Sequence, residues 1–239
     1  MRRCGDGRAG SGYRVRAVPW RAGPRFRRAA HGFFPHSGRT RTPGEYDRRR
    51  NSSRGRIIVG GLHRLSEIDS CDIICVAGGA GIDDAILDEA FLAELRRLAT
   101  TARFITSVCT GSLALGAAGL LRGKRAACHW FAREFLTAFG ATPDLNRVAR
   151  DGDVITSGGV TAGIDFALSI AAELIGSDTA QEIQLQIEYA PAPPFNAGTP
   201  ETAPLHILSN VSQRYAGSSE RRRAAVKIAA ARFSEQVPS

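Results

Sequence analysis

Apolar and polar positions fall into readable periods only from about residue 57 onward. Arg56-Ile57-Ile58-Val59 carries a short apolar run. Asp72-Ile73-Ile74-Cys75-Val76 has the continuous apolar character of a strand buried on both faces, and it ends at Ala77-Gly78-Gly79-Ala80-Gly81. Residues 84–101 predict an amphipathic helix with Ile86, Leu87, Phe91, Leu95 and Leu98 on one face. Phe104–Val108 predicts a second buried strand, followed by a small-residue helix from Thr110 to Leu121 that Gly123 ends. Ala126-Ala127-Cys128-His129 reads as a short strand or strand end, and Phe131–Phe139 as a helix stopped by Gly140.

Further on, Arg147–Arg150 and Val154–Ser157 flank Asp151-Gly152-Asp153, which has hairpin-turn chemistry. Gly158-Gly159 opens into a helix over about 163–175, and another covers about 178–188. Pro191–Pro204 is a Pro-rich loop, and two helical stretches, 204–215 and 218–234, follow it. Strands alternating with helices predict an α/β fold, a mostly parallel sheet flanked by helices. Such sheets place their sites at the carboxyl ends of the strands. Gly78-Gly79 and Cys109 both stand there.

Composition divides the chain in two. Residues 1–56 hold 16 arginines, no lysine and three acids (Asp6, Glu45 and Asp47), a net charge of +13; the remainder has 16 basic and 20 acidic residues, a net of −4. The overall +9 therefore belongs to one segment and not to the domain. Rich in Arg, Gly, Pro and Ser and without period, residues 1–56 lack the apolar surface needed to offset chain entropy. A nucleic-acid-binding arm, a transit-type leader and an atypical or disordered extension compete for this segment, and the last is preferred. Nucleic acid is accordingly not expected as a partner. Residues 57–239 form the domain. No apolar run reaches the roughly 20 residues that span a bilayer, and no secretory h-region opens the chain, so a cytoplasmic protein without membrane contact is expected.

The five cysteines, Cys4, Cys71, Cys75, Cys109 and Cys128, are odd in number and widely spaced, unlike a disulfide framework. No CxxC pair points to zinc, and Cys128-His129 alone is weak as a metal pair, so no metal is assigned. Ser107-Val108-Cys109-Thr110-Gly111-Ser112 is the informative segment: a strand runs straight into a helix with one nucleophilic residue at the junction. This is the arrangement of a nucleophile elbow with cysteine in place of serine. The unpaired N–H groups there favour thiolate, and the Thr110 N–H can meet charge developing on a substrate. A buried structural cysteine is the competing reading. The Gly78-Gly79 turn can bring a backbone N–H to the same place, or be an ordinary turn. His129, 20 residues beyond Cys109, can return beside the thiol to shuttle protons or serve as a packed core histidine. Trp130 reads as packing.

These segments resemble the DJ-1/PfpI superfamily over residues 62–239, and within it the isonitrile hydratase group. The matching stretches are Asp72–Gly79, Ser107–Leu113, Gly116–Leu121, His129-Trp130, Gly158–Phe166 and Glu188–Gly198. The elbow is shared across the superfamily; the last two stretches are more specific to the hydratases. The resemblance implies a flavodoxin-like, class I glutamine amidotransferase-like domain, a homodimer and a site without cofactors. It implies that Cys109 attacks the terminal carbon of an isonitrile, giving an N-substituted formamide after hydration, with Thr110 as the polar partner. Gly78, Gly79 and His129 would line the oxyanion or substrate site. Asp165 matches a helical family position and reads as structural. Glyoxalase or amidase-like chemistry and a non-catalytic ligand-sensing domain are the alternatives. The sensor reading is disfavoured because Ser239 leaves no room for a helix-turn-helix region.

The resemblance also implies an acidic residue in an Asp-Leu-Thr-Gly-Pro-like loop after a first strand, and nothing in residues 1–56 matches it. The first β-α-β portion is therefore expected to be missing or disordered. Residues 1 to about 55 read as an out-of-frame or wrongly started translation of a GC-rich gene, and loss of the acidic residue is expected to impair activity.

Overall fold

The computed structural model describes residues 15–18, as backbone, and residues 64–235. Five strands form the main sheet: β1 (Val15–Val18), β2 (Ile73–Ala77), β3 (Phe104–Val108), β6 (Val148–Asp151) and β7 (Val154–Ser157), in the order β1-β2-β3-β7-β6. The pairs β1–β2, β2–β3 and β3–β7 are parallel, and β6 returns antiparallel along β7 as the expected hairpin. A parallel pair, β4 (Arg125–Ala127) with β5 (Thr142–Asp144), forms a second small sheet. The helices are α1 (Ile82–Ala85), α2 (Glu89–Ala99), α3 (Gly111–Ala117), α4 (Ala162–Ile175), α5 (Ser177–Gln186) and α6 (Leu205–Glu235).

The continuous apolar strands are buried on both sides because successive side chains point to opposite faces. Ile74 and Val76 of β2 face a core built with Ile82, Leu95, Leu98, Leu113, Phe139 and Val226. Ile73, together with Phe104, Val108 and Ile155, faces Phe166 and Ile170 of α4 on the other side. The β3 strand is buried at all five positions, which fixes its register between β2 and β7 and holds the residue at its carboxyl end.

Four local expectations change. The helix expected over 84–101 is two helices, because Asp88 restarts it: its carboxylate accepts the Phe91 N–H at 3.1 Å, the geometry of a helix N-cap. The two stretches expected after Pro204 are one helix of 31 residues. Gly217 inside it costs only about 1 kcal/mol relative to alanine, too little to break a helix whose far half is packed. The stretch 131–139 is a 3-10 helix over Arg133–Phe139, closed by Gly140 at a φ of 72°. Finally, Val15–Val18 lies in the segment expected to have no regular structure, yet its backbone pairs with β2 with Val15 opposite Ile73. Two valines in four residues supply local strand preference, and β2 offers an edge that the other described strands leave unpaired. The Arg56–Val59 run lies outside the described residues, as do Asp6, Glu45 and Asp47.

Candidate active site

Cys109 follows β3 directly and has a φ of 63°, the left-handed region that a side chain bearing Cβ seldom enters. That conformation costs about 1–2 kcal/mol. It is held by the neighbouring strand: the Cys109 N–H is shared between the carbonyls of Ser157 (3.0 Å) and Gly158 (2.9 Å) at the end of β7. The chain then turns at once into α3. Gly111 lies against the end of β2 so closely that a Cβ there would sit 2.0 Å from the Val76 carbonyl oxygen. Only glycine permits the turn.

The glycine turn after β2 is stitched to the elbow. The Gly78 N–H donates to the Val108 carbonyl at 3.0 Å, and the Gly79 N–H donates to Thr110 Oγ1 at 3.0 Å. A Cβ on Gly78 would lie 2.4 Å from the Thr110 nitrogen and 2.5 Å from its Oγ1. Gly79, at a φ of 144°, completes the turn. Cys109, Thr110, Gly78 and Gly79 thus come together, and both glycine amides hold the elbow. With its acceptor side occupied by Gly79, the Thr110 hydroxyl can turn its own proton toward the Cys109 thiol, and the Thr110 N–H acts on the same group.

The thiol is only 8% exposed. Burial is the largest influence on it and pushes its pKa up; the Thr110 N–H, the Thr110 hydroxyl and the Arg222 charge act in the opposite sense. The resting group is therefore a thiol, with donors in place for the thiolate once it forms. His129 sits on the loop after β4, where its ring packs on Gly159. Its Nδ1 accepts the Phe131 N–H at 3.3 Å, which leaves the ring proton on Nε2. Burial and the Arg222 charge lower its pKa, so it is neutral at pH 7. Trp130 packs edge-on against Phe131 and Tyr215, and it helps line a small cavity with Gly198, Pro200, Ile207 and Val211.

Several contributors escaped the sequence reading. Ser112 Oγ donates to the Ala127 carbonyl at 2.6 Å and meets Ser107 Oγ at 2.8 Å, tying the elbow helix to β4 and so to the Cys128-His129 loop. A serine spaced five from another across a strand-to-helix junction is the only signal, and it is faint. Arg222, of α6, is 7% exposed and pairs with Asp83 of α1. Its signal was an arginine on the stripe otherwise formed by Ala225, Val226 and Ala229. Asp165, which the sequence reading had already singled out, accepts from Arg147 and from the Tyr189 hydroxyl, the latter at 2.8 Å. Among the described residues no three of His, Cys, Asp and Glu gather as metal ligands, and no helix is long and apolar enough to cross a membrane.

Residues 61–173 match the model of the DJ-1/PfpI family. The chain is 54% identical over 162 residues to an isonitrile hydratase of Pseudomonas putida, an overlap of 68% of this chain and 71% of that one. It is 32% identical over 136 residues to the HTH-type transcriptional regulator GlxA of Rhizobium meliloti, covering 41% of that protein. Among solved structures, a ThiJ/PfpI family protein from Pseudomonas syringae superposes with a TM-score of 0.64 at 43% identity over 66% of each chain. With this degree of identity, this coverage and a mostly parallel sheet flanked by helices, the chain belongs to the DJ-1/PfpI family.

Proposed function

We propose that this chain is a cysteine-dependent hydratase that converts an isonitrile to an N-substituted formamide. The observation that carries the reading is the 54% identity to an isonitrile hydratase, joined to a cysteine held in the elbow conformation with Thr110 lowering the pKa of its thiol.

The chemistry follows from a buried thiol. The terminal carbon of R–N≡C is attacked by sulfur, forming a C–S bond, and the carbon takes up one proton to give a thioimidate, R–N=CH–S–Cys109. The Cys109 S–H supplies that proton, so a resting thiol suits this substrate better than a permanent thiolate. Water then adds to the C=N carbon while nitrogen is protonated. The C–S bond breaks, sulfur leaves with the electron pair, and loss of the oxygen-bound proton yields R–NH–CHO. One water is consumed and the thiol is restored, so no redox partner is required. One hard hydration is divided into two steps. The Thr110 hydroxyl and N–H steady the sulfur when it carries charge, at the start and again on departure. Neutral His129, with its proton on Nε2, is a donor near the elbow for the substrate's nitrogen. The site works as a small-molecule site, and a homodimer in solution is part of the proposal.

The test is direct. Cyclohexyl isocyanide and methylglyoxal are offered separately to the purified chain, and N-cyclohexylformamide and lactate are quantified. Formation of the formamide alone is expected. Lactate without formamide would replace this reading with glyoxalase chemistry, and neither product would leave the sensing role of a ligand-binding domain.

A further inference from the structure

We propose that Arg147, Asp165 and Tyr189 are positioning residues for the nucleophile: they clamp the turn of residues 158–161, whose Gly158 carbonyl holds the Cys109 amide. The geometry stands by itself; only the use of the clamp in catalysis rests on the functional reading above.

Arg147 stands directly before β6, and its main-chain carbonyl accepts the Gly158 N–H at 3.0 Å. The Gly158 carbonyl in turn accepts the Cys109 N–H at 2.9 Å, part of the shared bond that keeps Cys109 at its left-handed φ. The side chain of the same arginine reaches the other end of the turn. Its Nη2 donates to Thr161 Oγ1 at 3.0 Å, and its Nε pairs with the Asp165 carboxylate, one helical turn further along α4. Arg147 thus grips Gly158 with its carbonyl and Thr161 with its guanidinium. Between them, the Gly159 carbonyl accepts the Ala162 N–H at 2.7 Å, and a Cβ on Gly159 would lie 3.4 Å from His129 Cδ2. The start of α4 also bears on the strand that carries the nucleophile, since a Cβ on Gly163 would lie 3.4 Å from Val108 Cγ1.

Tyr189 sets the carboxylate. Its hydroxyl donates to Asp165 Oδ1 at 2.8 Å, while Oδ2 takes the arginine. The tyrosine follows Glu188, whose φ of 52° is left-handed although the residue carries a Cβ. Such a residue persists where its surroundings over-determine it. Here the Tyr189 N–H donates to the Gln184 carbonyl at 3.0 Å, and Gln184 Nε2 donates to the Tyr189 carbonyl at 3.2 Å. The Arg147–Asp165 pair is partly exposed, and a pair so placed adds little to global stability. A planar guanidinium bonded to two acceptors supplies direction instead. Its effect is therefore local, on the turn that faces Cys109 and His129.

The experiment follows residue-resolved amide exchange in the full chain by NMR. Gly158 and Cys109 report on the clamped turn. Ile105, whose N–H donates to the Asp153 carbonyl at the opposite end of β3, is the reference. Tyr189→Phe removes one hydrogen bond to the carboxylate and is expected to speed exchange at Gly158 and Cys109 about threefold to tenfold. Asp165→Ala removes the partner of both Arg147 and Tyr189 and is expected to exceed that. Ile105 is expected to keep the parental rate in both. Should Asp165→Ala fail to fold, Tyr189→Phe, which loses a single oxygen, decides alone. Parental exchange at Gly158 and Cys109, or equal acceleration at Ile105 as a merely structural role requires, overturns the proposal. The same variants are then given cyclohexyl isocyanide, and kcat for formamide release is expected to fall about threefold to tenfold with KM near the parental value. A parental kcat overturns the clamp's use in catalysis. A parent chain that releases no formamide sinks the functional reading alone, and the exchange rates still decide the clamp.

Discussion

Replacing Thr110 by valine keeps the shape of the side chain and removes its hydroxyl. That oxygen accepts the Gly79 N–H at 3.0 Å, and the hydroxyl lowers the pKa of the Cys109 thiol, so two effects separate. The first is stability. The Gly79 N–H loses its partner beside a residue only 6% exposed, and an orphaned donor of this kind costs about 1–3 kcal/mol. For a domain of this size, that lowers Tm by roughly 2–4 °C per kcal/mol. The second is the thiol. A hydrogen bond to a charged group is worth about 1.5–3 kcal/mol, and one pKa unit is about 1.4 kcal/mol. The Thr110 N–H remains, so the hydroxyl's share is taken at the lower end, and the alkylation midpoint of Cys109 is expected to rise by about one unit. Thr110→Ser keeps the oxygen and is expected to stay near the parent in both measurements. The assay is the pH-dependent alkylation of Cys109 together with a thermal melt, Cys109→Ser marking the background. An unchanged midpoint in a folded Thr110→Val protein would refute the assignment of the hydroxyl to the sulfur. An unchanged Tm would refute its role as the Gly79 acceptor.

Two further expectations follow from the same geometry. Gly78→Ala places a methyl within 2.5 Å of the Thr110 nitrogen and Oγ1, so the elbow must move; overpacking of this kind costs about 1–3 kcal/mol, and both a lower Tm and slower Cys109 alkylation at its plateau are expected. His129 gives a pH signature. Its folded pKa is lowered by burial and by Arg222, while the unfolded chain regains the ordinary value near 6.5. As pH falls through that value, the unfolded state takes up a proton that the folded state refuses, so the stability is full above it and is lost below it. Melts from pH 8 to 5.5 are expected to show this decline in the parent chain and a shallower one in His129→Gln.

The parts of the fold and site that were legible in the sequence are those written locally. Continuous apolar runs announced β2 and β3, and Asp151-Gly152-Asp153 announced the hairpin of β6 and β7. The junction of a strand, one cysteine and a glycine two residues on announced the elbow, because the glycine lets the turn pass against the Val76 carbonyl. What stayed hidden depends on distant partners. Asp88 looks like any acid until its carboxylate is seen on the Phe91 N–H. The break expected between residues 215 and 218 does not occur, because α6 continues into the packing of Ala225, Val226 and Ala229. Val15–Val18 gains its strand form from the edge of β2, 55 residues away or more. The pairing of Arg222 with Asp83 spans 139 positions, and no local pattern encodes it.

The central claim is that Cys109 forms a covalent bond to the carbon of the isonitrile. It is tested most directly by intact-mass spectrometry of the chain quenched during turnover of cyclohexyl isocyanide. The account predicts a species heavier by the mass of one isonitrile, located on the Cys109 peptide, together with formamide release, and neither in Cys109→Ser. Formamide release that persists at the parent rate in Cys109→Ser, or an adduct carried on another residue, would contradict it.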